Sequence, residues 1–174
     1  PFQAKATATT ISPWIVMREA LEEFRISTPV REVPLLPHLE EPAPLLYDIS
    51  LEVALAPQGG EETVIARTNY REMYYSAAQQ LCHHTTSGCP MNVGELLGSG
   101  TISGPTRGER GSLLELSWGG KEPFEIRGGM RSFIEDGDRL TLRGHAQGDG
   151  YRIGFGECSG RVIPAHADPV GAGR

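Results

Sequence analysis

The chain has 174 residues, of which 39% are hydrophobic and 22% are charged, and this composition is that of about one globular domain. Its formal net charge of −6 argues against nucleic acid and anionic membranes as partners, and no apolar run approaches the ~20 residues that a bilayer-spanning helix needs. The 22 glycines and 13 prolines indicate many turns between short elements, which favours β structure over a helical bundle.

The first part of the chain predicts strands separated by a long connection. Residues 11–16 are apolar and β-branched, which predicts a buried strand bent by a proline, and residues 17–24 follow with a short helical pattern. The prolines between residues 29 and 44 predict an extended surface connection, because proline fits neither a helix interior nor a central strand. Strict alternation over residues 48–55 then predicts a half-buried strand, with residues 62–66 as its partner.

One main helix is predicted over about residues 70–84. Asn69, with Glu72 three positions later, indicates its start. His83 and His84 fall in its last turn, where positive charge suits the helix dipole. Apolar side chains recur at helical spacing between these ends, at Tyr70, Met73, Tyr74, Ala77, Ala78, Leu81 and Cys82.

The second half of the chain predicts strands joined by glycine turns. Residues 112–118 alternate between two faces and are expected to form a strand. Residues 133–134 and 140–143 are expected to pair as a hairpin around a turn at 136–138, and residues 151–156 are a further strand candidate. The expected fold class is therefore β-rich α+β with one main helix.

The cysteines and histidines near the end of the helix pattern invite a metal interpretation. Cys82, His83, His84 and Cys89 lie close together in sequence, but adjacent helical residues point about 100° apart. This group therefore favours capping or packing over a zinc site, whose ligands usually come as two spaced pairs. Three cysteines, an odd number in a chain of this size, fit a reducing, cytosolic compartment.

Three further features each have a functional and a structural interpretation. The glycine-rich residues 98–104 could cradle an anion through backbone N–H groups or form a tight turn. Glu115 stands among leucines and is either a partly buried functional acid or a charge at a strand edge. Lys5 could stabilise a developing negative charge or be an ordinary surface lysine. These residues alone do not define a reaction.

Five short motifs carry a resemblance to a known family. They are Thr10-Ile11-Ser12-Pro13-Trp14, Gly100-Thr101-Ile102-Ser103-Gly104-Pro105, Gly111-Ser112-Leu113-Leu114-Glu115-Leu116-Ser117-Trp118, Asp136-Gly137-Asp138 and Gln147-Gly148-Asp149-Gly150-Tyr151-Arg152-Ile153-Gly154-Phe155-Gly156. Together they resemble the fumarylacetoacetase (fumarylacetoacetate hydrolase) family, in its order and with its spacing, from Pro1 to about Ala165. So many co-linear matches are far more specific than any single motif.

The resemblance implies an activity, a fold and a location. The activity is hydrolysis of the carbon–carbon bond of 4-fumarylacetoacetate to fumarate and acetoacetate, the last step of tyrosine and phenylalanine breakdown. The family's catalytic domain is a mixed β-sandwich roll, its metals are Ca²⁺ and Mg²⁺, and its members are cytosolic homodimers. A small-molecule substrate, a homodimer and a cytoplasmic location are therefore expected, with no nucleic acid or membrane partner.

The same resemblance assigns roles to four residues. Glu115 matches the glutamate that orients the catalytic histidine, and Thr101 matches a threonine that contacts substrate. Lys5 matches the lysine near the leaving group, and Thr9 matches the threonine that, with Lys5, borders a second magnesium position. A cationic lysine beside a nascent enolate would stabilise charge that develops only in the transition state.

Two departures from the family pattern affect these expectations. Thr7 and Ala8 stand where animal members have an aromatic residue and a glycine, which shifts the resemblance towards bacterial members. The family's water-activating histidine and calcium-binding carboxylates, including a Glu-x-Glu pair, precede the lysine motif, and this chain has no Glu-x-Glu. Residues 1–165 are therefore expected to be the C-terminal part of the catalytic domain, with its N-terminal part missing. They are expected to be inactive alone, and residues 166–174 are expected to form a loose tail.

Two other functions stay open. One is a related hydrolase or decarboxylase that acts on another diketo or oxo acid, although residues 10–14 and the last glycine-rich motif favour fumarylacetoacetate. The other is a non-catalytic β-rich scaffold domain that keeps only the fold. Substituting Glu115 distinguishes the enzyme from the scaffold, because only the enzyme would lose turnover.

Overall fold

A computed structural model describes residues 8–43 and 45–165, and confirms the β-rich α+β class expected from the sequence. Its strands are β1 (Arg25–Ile26), β2 (Leu46–Tyr47), β3 (Ser50–Ala56), β4 (Thr63–Asn69), β5 (Phe124–Ile126), β6 (Gly129–Arg131), β7 (Arg139–Gln147) and β8 (Arg152–Arg161). Its α-helices are α1 (Ala77–Thr86) and α2 (Leu113–Leu116), and 3₁₀ helices cover Arg18–Phe24, Pro37–Leu39, Tyr70–Glu72 and Arg107–Glu109. The tail expected at 166–174 lies outside the described residues.

A four-stranded antiparallel sheet, in the order β4-β3-β7-β8, forms the centre of the fold. The alternating segment predicted over residues 48–55 is its strand β3, and the partner predicted at 62–66 is β4, so both predictions are confirmed. Ala54 and Leu55 are fully buried although their side chains point to opposite faces. The end of β3 is therefore covered on both sides, and two short antiparallel pairs, β1-β2 and β5-β6, complete the strands of the described residues.

The expected hairpin between residues 133–134 and 140–143 is wrong. The second segment lies in β7, which pairs with β3 and β8, whereas residues 133–134 are outside any strand. The turn at 136–138 is present, but it leads from a loop rather than from a paired strand. The turn residues therefore predicted the bend correctly, but not the strand that pairs with residues 140–143. That pairing is decided by the contacts that β7 makes with β3 along its length.

Asp138, the last residue of that turn, is a buried carboxylate with three hydrogen bonds. Its side chain is 1% exposed and accepts hydrogen bonds from Arg131 Nε at 3.0 Å, Arg131 Nη2 at 3.2 Å and the Glu135 backbone N–H at 2.9 Å. Burial by itself raises the pKa of Asp138, but the hydrogen bonds from Arg131 and Glu135 outweigh it and hold the pKa below its ordinary value. The pair ties the start of β7 to the end of β6.

The buried strand expected at residues 11–16 is wrong. This segment has no regular secondary structure, and Trp14 and Ile15 are 68% and 90% exposed. Pro13 lacks an N–H for a strand ladder, and the segment is attached to β8 by other contacts. Ser12 Oγ donates to the Phe155 carbonyl oxygen at 2.7 Å.

The main helix begins later than the sequence pattern predicts. Asn69 does accept a hydrogen bond from a backbone N–H, that of Arg71 at 2.9 Å, but it caps only the 3₁₀ turn Tyr70–Glu72. Extended backbone at Met73 ends that turn. Ser76 then begins α1 with a capping box to Gln79, so the helix expected at 70–84 is Ala77–Thr86.

The strand expected at residues 112–118 is a short helix, α2. The Ser112 hydroxyl accepts a hydrogen bond from the Glu115 N–H at 3.3 Å and so caps the helix. Leu116 is 6% exposed and belongs to a core cluster, whereas Leu114 is 64% exposed. The alternation of leucines was therefore a helical pattern cut short after one turn, and its capping residue decides the structure.

Two clusters of buried side chains form the core. One joins the 3₁₀ helix Arg18–Phe24 to the sheet through Leu21, Phe24, Ile49 and Ala146, and it confirms the helical pattern expected at 17–24. The other joins β3 to α2 and β5 through Leu55, Leu116, Phe124 and Ile126. None of the helices in the described ranges is both long and apolar enough to cross a membrane.

Replacing Asp138 by Ala is expected to lower the free energy of unfolding by about 3 kcal/mol, because it leaves the largely covered Arg131 side chain without its main partner. The matched control is Glu135→Ala, which removes a second, 63% exposed partner of Arg131 and should cost under about 1 kcal/mol. Denaturant unfolding measures the loss in both variants.

The contribution of Asp138 to stability should also depend on pH. Because the pKa of Asp138 is lowered in the folded state, this contribution is present above the ordinary pKa of 3.8 and is lost as the pH falls below it. Equal losses of unfolding free energy in Asp138→Ala and Glu135→Ala would contradict the assignment of Asp138 as the main partner of Arg131.

Candidate functional site

Thr101 and Glu115, which the sequence takes from two separate motifs, line one open cavity of about 480 Å³. The wall opposite them comes from the segment between β4 and α1. The cavity therefore lies where the glycine-rich loop at 98–104, α2 and the start of α1 meet. The described residues that line it are Glu72, Met73, Tyr74, Tyr75, Gln80, Ser99, Thr101, Ile102, Ser103 and Glu115. We call this space the Thr101–Glu115 cavity.

Glu115 is fixed in this cavity by two serine hydroxyls. Ser103 Oγ and Ser112 Oγ each donate to Glu115 Oε2, both at 2.8 Å. The side chain is only partly buried, so it is accessible from the cavity while one of its oxygens is engaged. Of the two interpretations left open by the sequence, the geometry favours a positioned acid over a charge at a strand edge.

The glycine-rich loop is brought to Glu115 by a close backbone approach at Gly111. A Cβ atom on Gly111 would lie 2.4 Å from the Ile102 carbonyl oxygen, so any larger residue would push the two segments apart. The Gly111 N–H also donates to Ser103 Oγ at 2.9 Å. The loop therefore has a packing function beside Glu115, and Thr101 lies exposed at the rim of the cavity.

An aromatic wall faces the two hydroxyl-bearing segments. Tyr74 and Tyr75 meet edge to face with ring centroids 4.8 Å apart. The Arg31 guanidinium lies 4.6 Å from the centroid of the Tyr74 ring and 5.3 Å from that of Tyr75, and Nη1 donates to the Tyr74 carbonyl oxygen at 2.8 Å. Arg31 belongs to the proline-rich connection at 29–44, whose described residues, 29–43, are irregular as expected apart from one 3₁₀ turn. That connection supports the site as well as crossing the surface.

The cavity lining carries negative charge. Glu72 and Glu115 are the ionisable acids among the described lining residues, and no lysine or arginine accompanies them there. Two carboxylates favour a cationic group between them and disfavour an anion. An anionic substrate would therefore need a positive charge from outside these ten residues.

The structure does not bring the other two expected site residues, Lys5 and Thr9, to the described wall of the cavity, for different reasons. Lys5 lies outside the described residues. Thr9 is exposed and is not among the described residues that line the cavity. The adjoining residues of its motif are attached to β8: a Cβ atom on Gly156 would lie 2.0 Å from Trp14 Cδ1, and Cys158 Sγ donates to the Thr10 carbonyl oxygen at 3.3 Å. Two signature motifs far apart in sequence are thus in contact.

The described ranges offer no ready metal site. They contain no group of three or more histidine, cysteine, aspartate or glutamate side chains arranged to hold an ion. His83 and His84 lie near the end of α1 with ring centroids 6.4 Å apart. None of the described histidines lines the Thr101–Glu115 cavity. The described side chains therefore do not by themselves fit a metal or supply an imidazole base.

Sequence reasoning missed the serines that hold Glu115 and most of the facing wall. Ser112 was detectable, because Ser112 and Glu115 have the Ser-x-x-Glu spacing of a capping box. Ser76 and Gln79 have the equivalent spacing at the true start of α1. Ser103, Tyr75 and their contacts carried no local signal, because they meet Glu115 and Arg31 only through the tertiary fold.

The fold and site define a β-rich α+β domain with a carboxylate held by two serines in an open cavity, a group of the kind that takes part in general acid–base chemistry. Residues 1–163 match the family of fumarylacetoacetate (FAA) hydrolase C-terminal domains. The chain belongs to the fumarylacetoacetate hydrolase family, and this confirms the resemblance inferred from its motifs. Members of this family are in general metal-dependent.

Individual relatives are similar over almost the whole chain. It is 48% identical over 166 residues to a fumarylacetoacetase of Arabidopsis thaliana, 50% over 169 residues to one of Aspergillus fumigatus, and 45% over 167 residues to one of Homo sapiens. Each match covers 95% of this chain but only 39%, 39% and 40% of the respective relative. The chain thus spans about two fifths of the length of these relatives. All three are eukaryotic, so the resemblance to bacterial members stays a prediction.

Gly156→Ala tests the contact between the two signature motifs. The residue has φ +73°, which disfavours any side chain, and its Cβ would displace the Trp14 ring. We expect the free energy of unfolding to fall by about 2 kcal/mol and the peptide bond after Arg18 to become more sensitive to trypsin. Gly150→Ala is the matched control, because its φ of +76° carries the same backbone strain while nothing lies within 4 Å of its Cβ position. If both variants behave alike, the Trp14 contact does not hold the N-terminal segment.

Proposed function

We propose that this chain forms part of a fumarylacetoacetase and contributes Glu115 and Thr101 to the hydrolysis of 4-fumarylacetoacetate. The observation that carries the proposal is that both residues, taken from separate motifs, line one cavity. Membership of the family, and relatives named fumarylacetoacetase, support the same substrate. The products would be fumarate and acetoacetate, in the last step of tyrosine and phenylalanine degradation.

The reaction develops charge at three places. A water molecule gives a proton to a base while its oxygen bonds to the carbonyl carbon on the fumaryl side. The carbon–carbon bond then breaks, and its electron pair passes to the acetoacetate fragment as an enolate, which takes a proton at carbon. A protein that accelerates this reaction must stabilise the protonated base, the oxyanion and the enolate more strongly than the ground state.

Glu115 is proposed to act on the protonated base. A carboxylate that accepts the N–H of an imidazole orients the ring and stabilises the imidazolium formed when the water loses its proton. Glu115 Oε2 is engaged by the two serines, which leaves Oε1 for such a contact. Because no described histidine lines the cavity, the imidazole is proposed to come from the part of the relatives that this chain does not match.

Thr101, Lys5 and Thr9 are proposed to act on the substrate and its leaving group. The hydroxyl of Thr101, exposed at the rim, can donate a hydrogen bond to a substrate oxygen. The ammonium of Lys5 would supply the positive charge that the cavity lining lacks and would stabilise the enolate. With Thr9 it is also proposed to border a second magnesium position.

Other properties rest on the family resemblance alone. Ca²⁺ and Mg²⁺ are the proposed metals, and a bound metal would polarise the attacked carbonyl. A mixed β-sandwich roll, a homodimer and a cytoplasmic location are proposed for the same reason. The division into a catalytic part at 1–165 and a loose tail at 166–174 also stays a proposal.

The proposal is tested by Glu115→Gln in the complete polypeptide that the gene containing this chain encodes. The amide keeps the shape but removes the negative charge that stabilises an imidazolium, so kcat should fall by about 100-fold or more. The assay follows loss of 4-fumarylacetoacetate, with thermal unfolding as the check on folding. The control Glu109→Gln changes a nearby carboxylate that is bound to Thr106 instead, and should keep normal turnover. Normal turnover in Glu115→Gln would mean that this domain is a non-catalytic scaffold or that a different acid orients the base.

The chain assayed alone, with Ca²⁺ or Mg²⁺ added, is expected to show no turnover of 4-fumarylacetoacetate. The described lining of its cavity provides an orienting acid but no imidazole for that acid to orient. Human fumarylacetoacetase assayed in parallel supplies the positive control. Comparable turnover by the chain would contradict the proposal that the imidazole comes from outside it. In the complete encoded polypeptide, preferential hydrolysis or decarboxylation of other diketo or oxo acids would favour the related-enzyme alternative.

A further inference from the structure

We infer that Ser103 and Ser112 are a pair of positioning residues that fix Glu115 for its action on the base, an inference that rests on the proposed function. Both hydroxyls donate to the same oxygen, Oε2, at 2.8 Å. The other oxygen, Oε1, has no hydrogen bond to any residue that the structure describes. The carboxylate is therefore used asymmetrically, with one oxygen engaged by the protein and one directed to a partner in the cavity.

The direction of both hydroxyl protons is determined by the backbone. Ser103 Oγ accepts the Gly111 N–H at 2.9 Å, and Ser112 Oγ accepts the Glu115 N–H at 3.3 Å. Each hydroxyl thus has a donor already pointing at its oxygen, so its own proton turns towards the carboxylate. Such chains polarise each hydrogen bond along them, which strengthens the contact with Oε2.

Two hydrogen-bond donors from different segments restrict the rotation of the Glu115 carboxylate. The terminal torsion of a glutamate side chain is broad and roughly two-fold, so one hydrogen bond leaves the carboxylate plane poorly defined. Ser103 lies on the glycine-rich loop and Ser112 at the start of α2, so the two bonds reach Oε2 from separate elements. Together they fix the plane in which Oε1 can accept an N–H, and misplacement by about 1 Å can cost 10²-fold in rate.

A neighbouring carboxylate provides a matched comparison. Glu109 Oε2 accepts hydrogen bonds from Thr106 Oγ1 at 2.6 Å and from the Thr106 N–H at 2.8 Å. Those bonds come from a single residue and close the 3₁₀ turn Arg107–Glu109, and neither residue lines the Thr101–Glu115 cavity. Thr106→Ala therefore removes a similar hydroxyl–carboxylate contact without touching Glu115.

The experiment measures kcat and KM for 4-fumarylacetoacetate in the complete encoded polypeptide carrying Ser103→Ala, Ser112→Ala or both. We expect about a 10-fold loss of kcat for each single variant and about 100-fold or more for the pair, with KM changed less than about 2-fold. Ser112→Thr keeps both the hydroxyl and the helix cap, so it should retain kcat within about 3-fold. Thr106→Ala should keep normal kcat while losing comparable thermal stability.

The outcomes separate this inference from the proposed function. If Glu115→Gln is inactive while both serine variants keep normal kcat, the positioning role is wrong and the proposed function stands. If Glu115→Gln is active, the proposed function itself fails. A similar loss of kcat in Thr106→Ala would mean that the serines act only through stability. Should Ser112→Ala not fold, Ser103→Ala decides alone, because Ser103 caps no helix.

Discussion

The burial of Leu116 in the core beside β3 fixes the position of the candidate site. Leu116 is 6% exposed and shares a cluster with Leu55, which is fully buried at the end of the central strand. Removing a leucine of this size from water contributes roughly 2 kcal/mol, which offsets part of the entropy lost when this one-turn helix becomes ordered. Because neighbouring helical residues point about 100° apart, anchoring Leu116 inward directs Glu115 sideways into the cavity. The catalytic proposal therefore depends on an apolar contact one residue away.

Hydrophobic alternation predicted some parts of the fold correctly and one part incorrectly. Apolar and polar residues alternate along β3, and that period was visible directly in the sequence. Apolar residues also alternate over residues 112–118. A single helical turn, however, is too short for its hydrophobic pattern to be distinguished from that of a strand. The distinguishing signal was the Ser112-to-Glu115 spacing, since a capping serine competes with strand geometry. Local capping chemistry is more informative than hydrophobic period in segments this short.

Contacts between distant segments set the limit of prediction. The segment at 11–16 has the composition of a strand, yet its ladder partner is absent and β8 holds it through Ser12 and the backbone beside Gly156. Nothing in its own residues specifies a partner more than 140 positions away. The family motifs identified both segments as important without indicating that they touch. Glu115 and Thr101 were found in the same way, through motifs, whereas Ser103 became evident only from its bond to Glu115.

The charge of the cavity limits which further groups the proposed reaction needs. The proposed substrate and products are carboxylates, but the described lining offers Glu72, Glu115 and hydroxyls, with no lysine or arginine. Bringing a dianion next to two carboxylates without a counter-charge is unfavourable, so at least one cation must enter the site from other residues or from a metal. An imidazolium beside Glu115 balances one carboxylate, and the ammonium proposed for Lys5 balances the enolate. Each developing charge would then have a counter-charge, which is the condition under which carbon–carbon hydrolysis is accelerated.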